Sequence, residues 1–142
     1  GKFVPVFWSP VHFPKQAGTM GVLCNPSHKA LDHFPTDMNT DWQWWDILNN
    51  AKVIEMQNAP EKLRPFIQII DSYDNNQKLG IGFEAKVNGG KLLVLALDTQ
   101  KEMDKRPATQ QLLYSIDNYV KSNHFAPEVQ VEESFIQSFL TK

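Results

Sequence analysis

The chain has 142 residues and a mass of 16.3 kDa, one domain's worth of material that can bury a core without disulfides or metals but falls short of a complete (β/α)8 barrel, which needs about 200 residues or more. Its composition is that of a soluble globular domain, 42% hydrophobic and 21% charged with a mean hydropathy of -0.39, and no apolar run approaches the ~20 residues of a membrane span. With 14 Lys and Arg against 16 Asp and Glu the formal charge is -2, which leaves no electrostatic surplus to draw in nucleic acid or anionic lipid.

Residues 3 to 8, Phe-Val-Pro-Val-Phe-Trp, combine strand-forming residues with Pro5, which cannot donate to a ladder; they predict an edge strand or an irregular start. Ser9 to Gly18, with Pro10 and Pro14, predicts a loop. Thr19 to Cys24 is a short apolar strand closed by Asn25-Pro26, and Ser27 is placed to cap a short helix through Ala30, Leu31 and Phe34. Pro35 stops that helix. Thr40 or Asp41 can cap a second one, where Trp44, Ile47, Leu48 and Ala51 recur at the spacing of one buried stripe.

Residues 52 to 58 predict a modest strand, and the β-branched run Phe66 to Ile70 an interior one, followed by a polar turn from Asp71 to Lys78. Leu79, Ile81, Phe83, Ala85 and Val87 alternate with Gly80, Gly82, Glu84 and Lys86, the period of a strand with one buried face. Asn88-Gly89-Gly90 tolerates positive φ, so this strand and the next, from Lys91, form a β-hairpin. The uniformly apolar run Leu92 to Leu97 is expected inside the sheet. Asp98 to Arg106 is a polar connection. Pro107 is preset for the first turn of a helix striped by Leu112, Leu113, Ile116, Tyr119 and Val120, and Pro127 to Lys142 holds a last short helix with Phe135, Ile136, Phe139 and Leu140 inward. Strands interleaved with helices predict one three-layer α/β domain over residues 1–142, its sheet mainly parallel with an antiparallel hairpin at an edge.

A single cysteine, Cys24, excludes an intramolecular disulfide and a multi-thiolate zinc site. It ends a strand and precedes a helix, the place of an elbow nucleophile, but Asn25-Pro26 stands where an elbow needs glycine, which favours a buried, inert thiol. The histidines His12, His28, His33 and His124 form no metal-ligand spacing and read as solvated or packing residues. Asp37, Asp41, Asp46, Asp71, Asp74, Glu84 and Asp98 sit mostly in turns and caps, where carboxylates solvate backbone N–H groups. No catalytic pair can be assigned among them. No GxGxxG, P-loop or GxSxG string occurs, so no cofactor is expected.

The most unusual string is Asp41-Trp42-Gln43-Trp44-Trp45-Asp46. Rings beside polar groups serve cores, domain interfaces and sugar-stacking surfaces alike. At ~100° per residue Trp44 lies mid-stripe, Trp45 on its flank and Trp42 nearly opposite, so Trp42 and Trp45 are the candidate contacts to carbohydrate or to a neighbouring domain.

The run from Gly21 to Leu31, Phe34-Pro35-Thr36-Asp37 and the tryptophan string resembles the C-terminal region of large family 2 glycoside hydrolases, the β-galactosidase-type enzymes of Bacteroides and relatives. Further matching pieces are Arg64-Pro65 through Asp71, Lys78-Leu79-Gly80 through Lys86, Gly90 through Val94, and Arg106-Pro107-Ala108 through Ser115. Lys29 departs from the pattern, which has proline after the histidine. The resemblance implies an accessory α/β module, flavodoxin-like or amidotransferase-like but without its chemistry, whose catalytic glutamates lie in an upstream barrel; no catalytic residue is carried over. It implies the other domains of the parent enzyme as partners and export to the periplasm or cell surface.

Three functions therefore compete. The first is a non-catalytic C-terminal module that supports domain assembly, and the second a carbohydrate-binding module using exposed tryptophans. The third is a small Cys24-dependent hydrolase or amidotransferase. Exposed tryptophans favour the second, and an exposed Cys24 within reach of a histidine the third.

Overall fold

A computed structural model of the protein describes residues 21–39, 41–49, 51–71 and 76–140. The strand and loop expected over residues 3–18, the residues Thr19, Met20, Thr40 and Asp74, and His12 lie outside that set. Among the described residues, five strands form one sheet: β1 (Gly21–Cys24), β2 (Ile54–Glu55), β3 (Ile67–Ile70), β4 (Leu79–Val87) and β5 (Gly90–Leu95). The described helices are α1 (Trp44–Asn49), α2 (Pro107–Lys121) and α3 (Glu133–Leu140), with short 3-10 turns at Lys29–Leu31 and Met103–Lys105.

The mainly parallel, flavodoxin-like or amidotransferase-like sheet expected from the sequence is not the one formed. Every pairing between named strands is antiparallel, and among the described residues only the isolated bridge Lys86–Gln130 is parallel. β3 lies between β1 and β4, an interior position as its β-branched run predicts, while β2 and β5 share the far edge of β4: Gly80 pairs with Gln68 and Ile54, and Gly82 with Ile67 and Leu95. Strand direction is not encoded in local periodicity, and an apolar run cannot distinguish a central parallel strand from an antiparallel edge. β5 is such an edge. Its Leu92–Leu95 stretch is only half-buried rather than enclosed.

The β4–β5 hairpin forms where expected. Asn88 (φ 49°) and Gly89 (φ 79°) both occupy the left-handed region, which makes the two-residue turn of the kind whose twist matches the flanking strands.

Hydrophobic residues collect in two cores, one on each face of the sheet. Val22, Ile67, Ile69, Leu79 and Ile81 pack with Leu31, Phe34, Trp44, Ile47, Leu112 and Ile116, under α1 and α2. Ile54, Met56, Leu63, Phe83, Ala85, Val131 and Phe135 form the second, under α3. β4 supplies both because of a bulge: one step on β3, Ile67 to Gln68, spans two on β4, Gly82 to Gly80. The extra residue, Ile81, shifts the alternation by one place, so Phe83 and Ala85 point to the opposite face from Leu79 and Ile81. The single buried face expected for β4 is thereby corrected to two.

The helices depart from expectation at their ends. The first helix is one 3-10 turn capped by His28 rather than Ser27. In α3, Phe135 is buried and Ile136 and Phe139 half-buried, but Leu140 is 70% exposed instead of inward. No described helix is long and apolar enough to cross a membrane.

Candidate functional site

The tryptophan string folds as a turn followed by α1. Asp41 accepts from the Gln43 N–H at 3.0 Å and its carbonyl accepts from the Trp44 N–H at 3.2 Å, which fixes the entry to the helix. Trp44 is fully buried. Its ring meets Phe34 edge-on at 5.1 Å, and its indole Nε1 donates to Thr36 Oγ1 at 2.9 Å, so the large ring is packed and its polar handle satisfied. Gln43 Nε2 donates to the Pro35 carbonyl at 2.8 Å, a second tie to the 34–36 segment.

Trp42 projects 88% exposed from that anchored turn and Trp45 43% exposed from the start of α1. Their ring centroids are 6.4 Å apart and the planes tilted by 52°, so the two indoles form a shallow V. Neither indole N–H meets an acceptor among the described residues. The predicted helical phase of the three tryptophans holds, although Trp42 lies in the turn ahead of α1. An 88% exposed indole is uncommon on a domain surface, because large apolar groups left in contact with water mark interaction sites.

Cys24 ends β1 as expected and is buried. Burial first, then the nearby Asp41 charge, push its thiol up to about 12, so the thiolate that would act as a nucleophile is disfavoured.

A polar cluster that the sequence reading did not bring together lies where the 3-10 turn Lys29–Leu31, β4 and α2 meet. Tyr119 donates its hydroxyl to Glu84 Oε2 at 2.6 Å, and His28 Nε2 lies 3.9 Å from Glu84 Oε1. His28 Nδ1 accepts from the Ala30 N–H at 3.2 Å, which leaves the proton of the neutral ring on Nε2, facing Glu84. The imidazole stacks on Phe66 with centroids 4.7 Å apart, and Tyr119 meets Phe125 edge-on at 5.4 Å. Burial lowers the His28 pKa, outweighing the attraction of Glu84 and Asp32. Burial and the Glu84 hydrogen bond raise that of Tyr119. A carboxylate already held by a tyrosine, beside a neutral stacked histidine, ties three elements together. The β4 bulge is what aims Glu84 to this face, and nothing in the alternation of β4 signals it.

Three more of the candidate carboxylates, Asp46, Asp71 and Asp98, are engaged in structure. Asp46 accepts from Arg106 Nε at 2.8 Å and from Thr109 Oγ1 at 2.9 Å. Asp71 accepts from the Gln77 N–H, and Asp98 from those of Gln100 and Lys101. Among the described residues no three His, Cys, Asp or Glu side chains form a group that could hold a metal ion.

A family described as a domain of unknown function, DUF8487, matches residues 1–141. The chain belongs to that family. No curated protein matches it. What this DUF8487 domain presents to its surroundings, then, is an anchored pair of exposed indoles.

Proposed function

We propose that this domain is a non-catalytic accessory module of a larger carbohydrate-degrading enzyme of the family 2 glycoside hydrolase type, and that it meets sugar through Trp42 and Trp45. The supporting observation is the exposed pair itself, 88% and 43% accessible on a turn held from behind by the buried Trp44. Faces of sugar rings are lined with C–H groups and their rims with hydroxyls, so an amphipathic indole offers both an apolar plane and an N–H donor. A rigid anchor lowers the entropy lost when such rings are immobilised on a ligand. In this role the module works in the periplasm or at the cell surface and leaves bond cleavage to other domains, in keeping with a Cys24 thiol that burial holds protonated.

The test is a titration of the purified chain with mono-, oligo- and polysaccharides, followed by tryptophan fluorescence and by calorimetry. A saturable response that Trp42→Ala abolishes, with the fold intact by circular dichroism, is expected. No response to any sugar class, or one unchanged in Trp42→Ala, overturns the reading. A second reading, contact with a neighbouring domain of the same enzyme, is favoured by Met38. It is 63% exposed in the same 38–45 stretch, and its thioether adapts to protein surfaces. Saturable binding of the upstream domains added in trans, lost in Trp42→Ala, would select that reading instead.

A further inference from the structure

We infer that the outer edge of β5, unpaired among the described residues, is a self-association site, at which a second copy of this chain adds its own β5 in antiparallel register. The inference is independent of the sugar contact. It starts from the parity of the hairpin: Val87 and Gly90 close the two-residue turn, so they form a hydrogen-bonded pair, and the pairs alternate from there. Ala85–Leu92 and Phe83–Val94 then exchange their backbone groups within the hairpin, while Lys86, Glu84 and Gly82 on β4, and Lys91, Leu93 and Leu95 on β5, point theirs outward. The β4 side obeys this, since the Lys86 N–H donates to the Val129 carbonyl at 2.8 Å and its carbonyl accepts from the Val131 N–H at 2.9 Å. On the β5 side, among the described residues, no backbone group meets the N–H or C=O of Lys91, Leu93 or Leu95.

Edge strands of monomeric proteins are ordinarily blunted by charge, proline or a bulge. From Leu92 to Leu97 this edge has neither charge nor proline. Its one cation is turned away: Lys91 Nζ donates to the Phe125 carbonyl at 2.7 Å and lies 5.9 Å over the Phe125 ring, folded back onto its own chain.

The edge also fits a copy of itself. With Leu93 opposite Leu93 of the partner subunit, Lys91 stands opposite Leu95 of the partner subunit. All of these positions have outward backbone groups, so the ladder closes without a slip, and no like charges face each other. A groove of about 630 Å³ lies at this end of the sheet, with Leu95, Leu97, Phe139 and Leu140 on its walls together with the charged Lys52 and Asp98.

Sedimentation equilibrium and amide exchange on the 142-residue chain test the proposal. A concentration-dependent dimer is expected, in which the Leu93 and Leu95 amides become protected as the dimer fills. Leu93→Pro removes an outward donor without touching the β4–β5 ladder, and it is expected to be a folded monomer. A chain that stays monomeric up to about 1 mM overturns the proposal, and so does a dimer whose Leu93 and Leu95 amides exchange as freely as in the monomer. A folded Leu93→Pro protein that dimerises like the parent also overturns it. Should that variant fail to fold, the amide measurement on the unaltered chain still decides.

Discussion

The Tyr119 hydroxyl donates to Glu84 Oε2 at 2.6 Å, which fastens α2 to the half of β4 that lies beyond its bulge. Packing from α1 and α2 already covers the first half of the strand through Leu79 and Ile81, whereas Phe83 and Ala85 have turned to the other core. The hydrogen bond therefore sits where α2 has no large β4 side chain to rest on. Tyr119→Phe keeps the ring against Phe125 and removes only the donor. We expect a loss of about 1–2 kcal/mol in urea denaturation, since a hydrogen bond to a charged group is lost but Glu84 stays partly solvated. In a Glu84→Gln background the same change is expected to cost less, and equal costs in both backgrounds would show that the pair is uncoupled.

The same contact sets an alkaline limit. Burial, then the Glu84 bond, raise the Tyr119 hydroxyl above its ordinary 10.0, so above that pH the unfolded chain loses a proton that the folded chain keeps. Stability then falls as pH rises past about 10. Tyr119→Phe is expected to flatten that part of the curve, as read from denaturation midpoints between pH 9 and 11.

At His28 the sign is reversed. Burial, opposed by Glu84 and Asp32, lowers its pKa below the ordinary 6.5, so below that pH the unfolded chain binds a proton that the folded chain refuses. Stability is whole above pH 6.5 and declines as pH falls toward the folded-state value. His28→Asn replaces the Nδ1 acceptor with a side-chain oxygen for the Ala30 N–H and removes the titration. Midpoints measured from pH 7.5 to 5 are expected to fall less steeply in this variant than in the parent chain, and parallel curves would refute the assignment.

Features encoded within a few residues were legible in the sequence. Asn88-Gly89 specifies its own turn, and the spacing of Trp44, Ile47 and Leu48 placed Trp44 inside and Trp42 outside. What required distant partners was not. Alternation along β4 named Leu79, Ile81, Phe83 and Ala85 as buried, but Val87 is only half-buried and Gly80 and Gly82 are buried as well, and only the pairing of Gln68 with Gly80 and of Ile67 with Gly82 reveals that the strand serves two cores. For the same reason Glu84 looked like a surface carboxylate. Arg106 closes a stretch that reads as a polar connection, and its burial depends on Asp46, sixty positions earlier in the chain. The direction of the strands was misjudged because hydrophobicity reports burial and not polarity of the chain.

Gly80 and Gly82 flank the bulge residue, and both are crowded. A Cβ at Gly80 would lie 2.9 Å from Pro65 Cβ and 3.0 Å from Met56 Sδ, and one at Gly82 3.0 Å from the Phe66 ring edge. Met56 can swing aside but Pro65 cannot, and Phe66 carries the stacked His28 ring. Each Gly→Ala change is expected to cost about 1–3 kcal/mol by overpacking. For Gly82→Ala, movement of Phe66 should also shift the His28 imidazole resonances in NMR spectra; for Gly80→Ala it should not.

The two tryptophan positions give a contrast in stability alone. Trp44→Ala empties a fully buried site that includes the edge-on contact to Phe34, so a loss of about 3–5 kcal/mol is expected. Trp42→Ala removes a ring that is 88% exposed, and its cost should stay within about 0.5 kcal/mol. Equal losses in denaturant melts would mean that Trp42 packs against the domain.

Arg106 is 4% exposed and is surrounded by acceptors of unequal kind. Its Nε donates to Asp46 Oδ2 at 2.8 Å and its Nη1 to the Asp98 carbonyl at 2.6 Å, while Nη2 is buried with no partner among the described residues. The guanidinium thus holds the 98–105 loop against α1 with one charged contact, and that contact is shared with the Thr109 hydroxyl. Removing Asp46 strands a buried cation, whereas an amide at the same place still offers an oxygen. Asp46→Ala is therefore expected to cost about 2–4 kcal/mol, reduced from a fully buried pair because the carboxylate is partly open to water. Asp46→Asn should cost distinctly less, and Thr109→Val about 1 kcal/mol. If the loop depends on this anchor, faster amide exchange at Lys105 and Arg106, whose N–H groups bond to the Glu102 and Met103 carbonyls, should accompany the Asp46→Ala loss and be absent in Thr109→Val. Unchanged exchange there, with the stability loss intact, would show that the ion pair supports α1 and α2 rather than the loop.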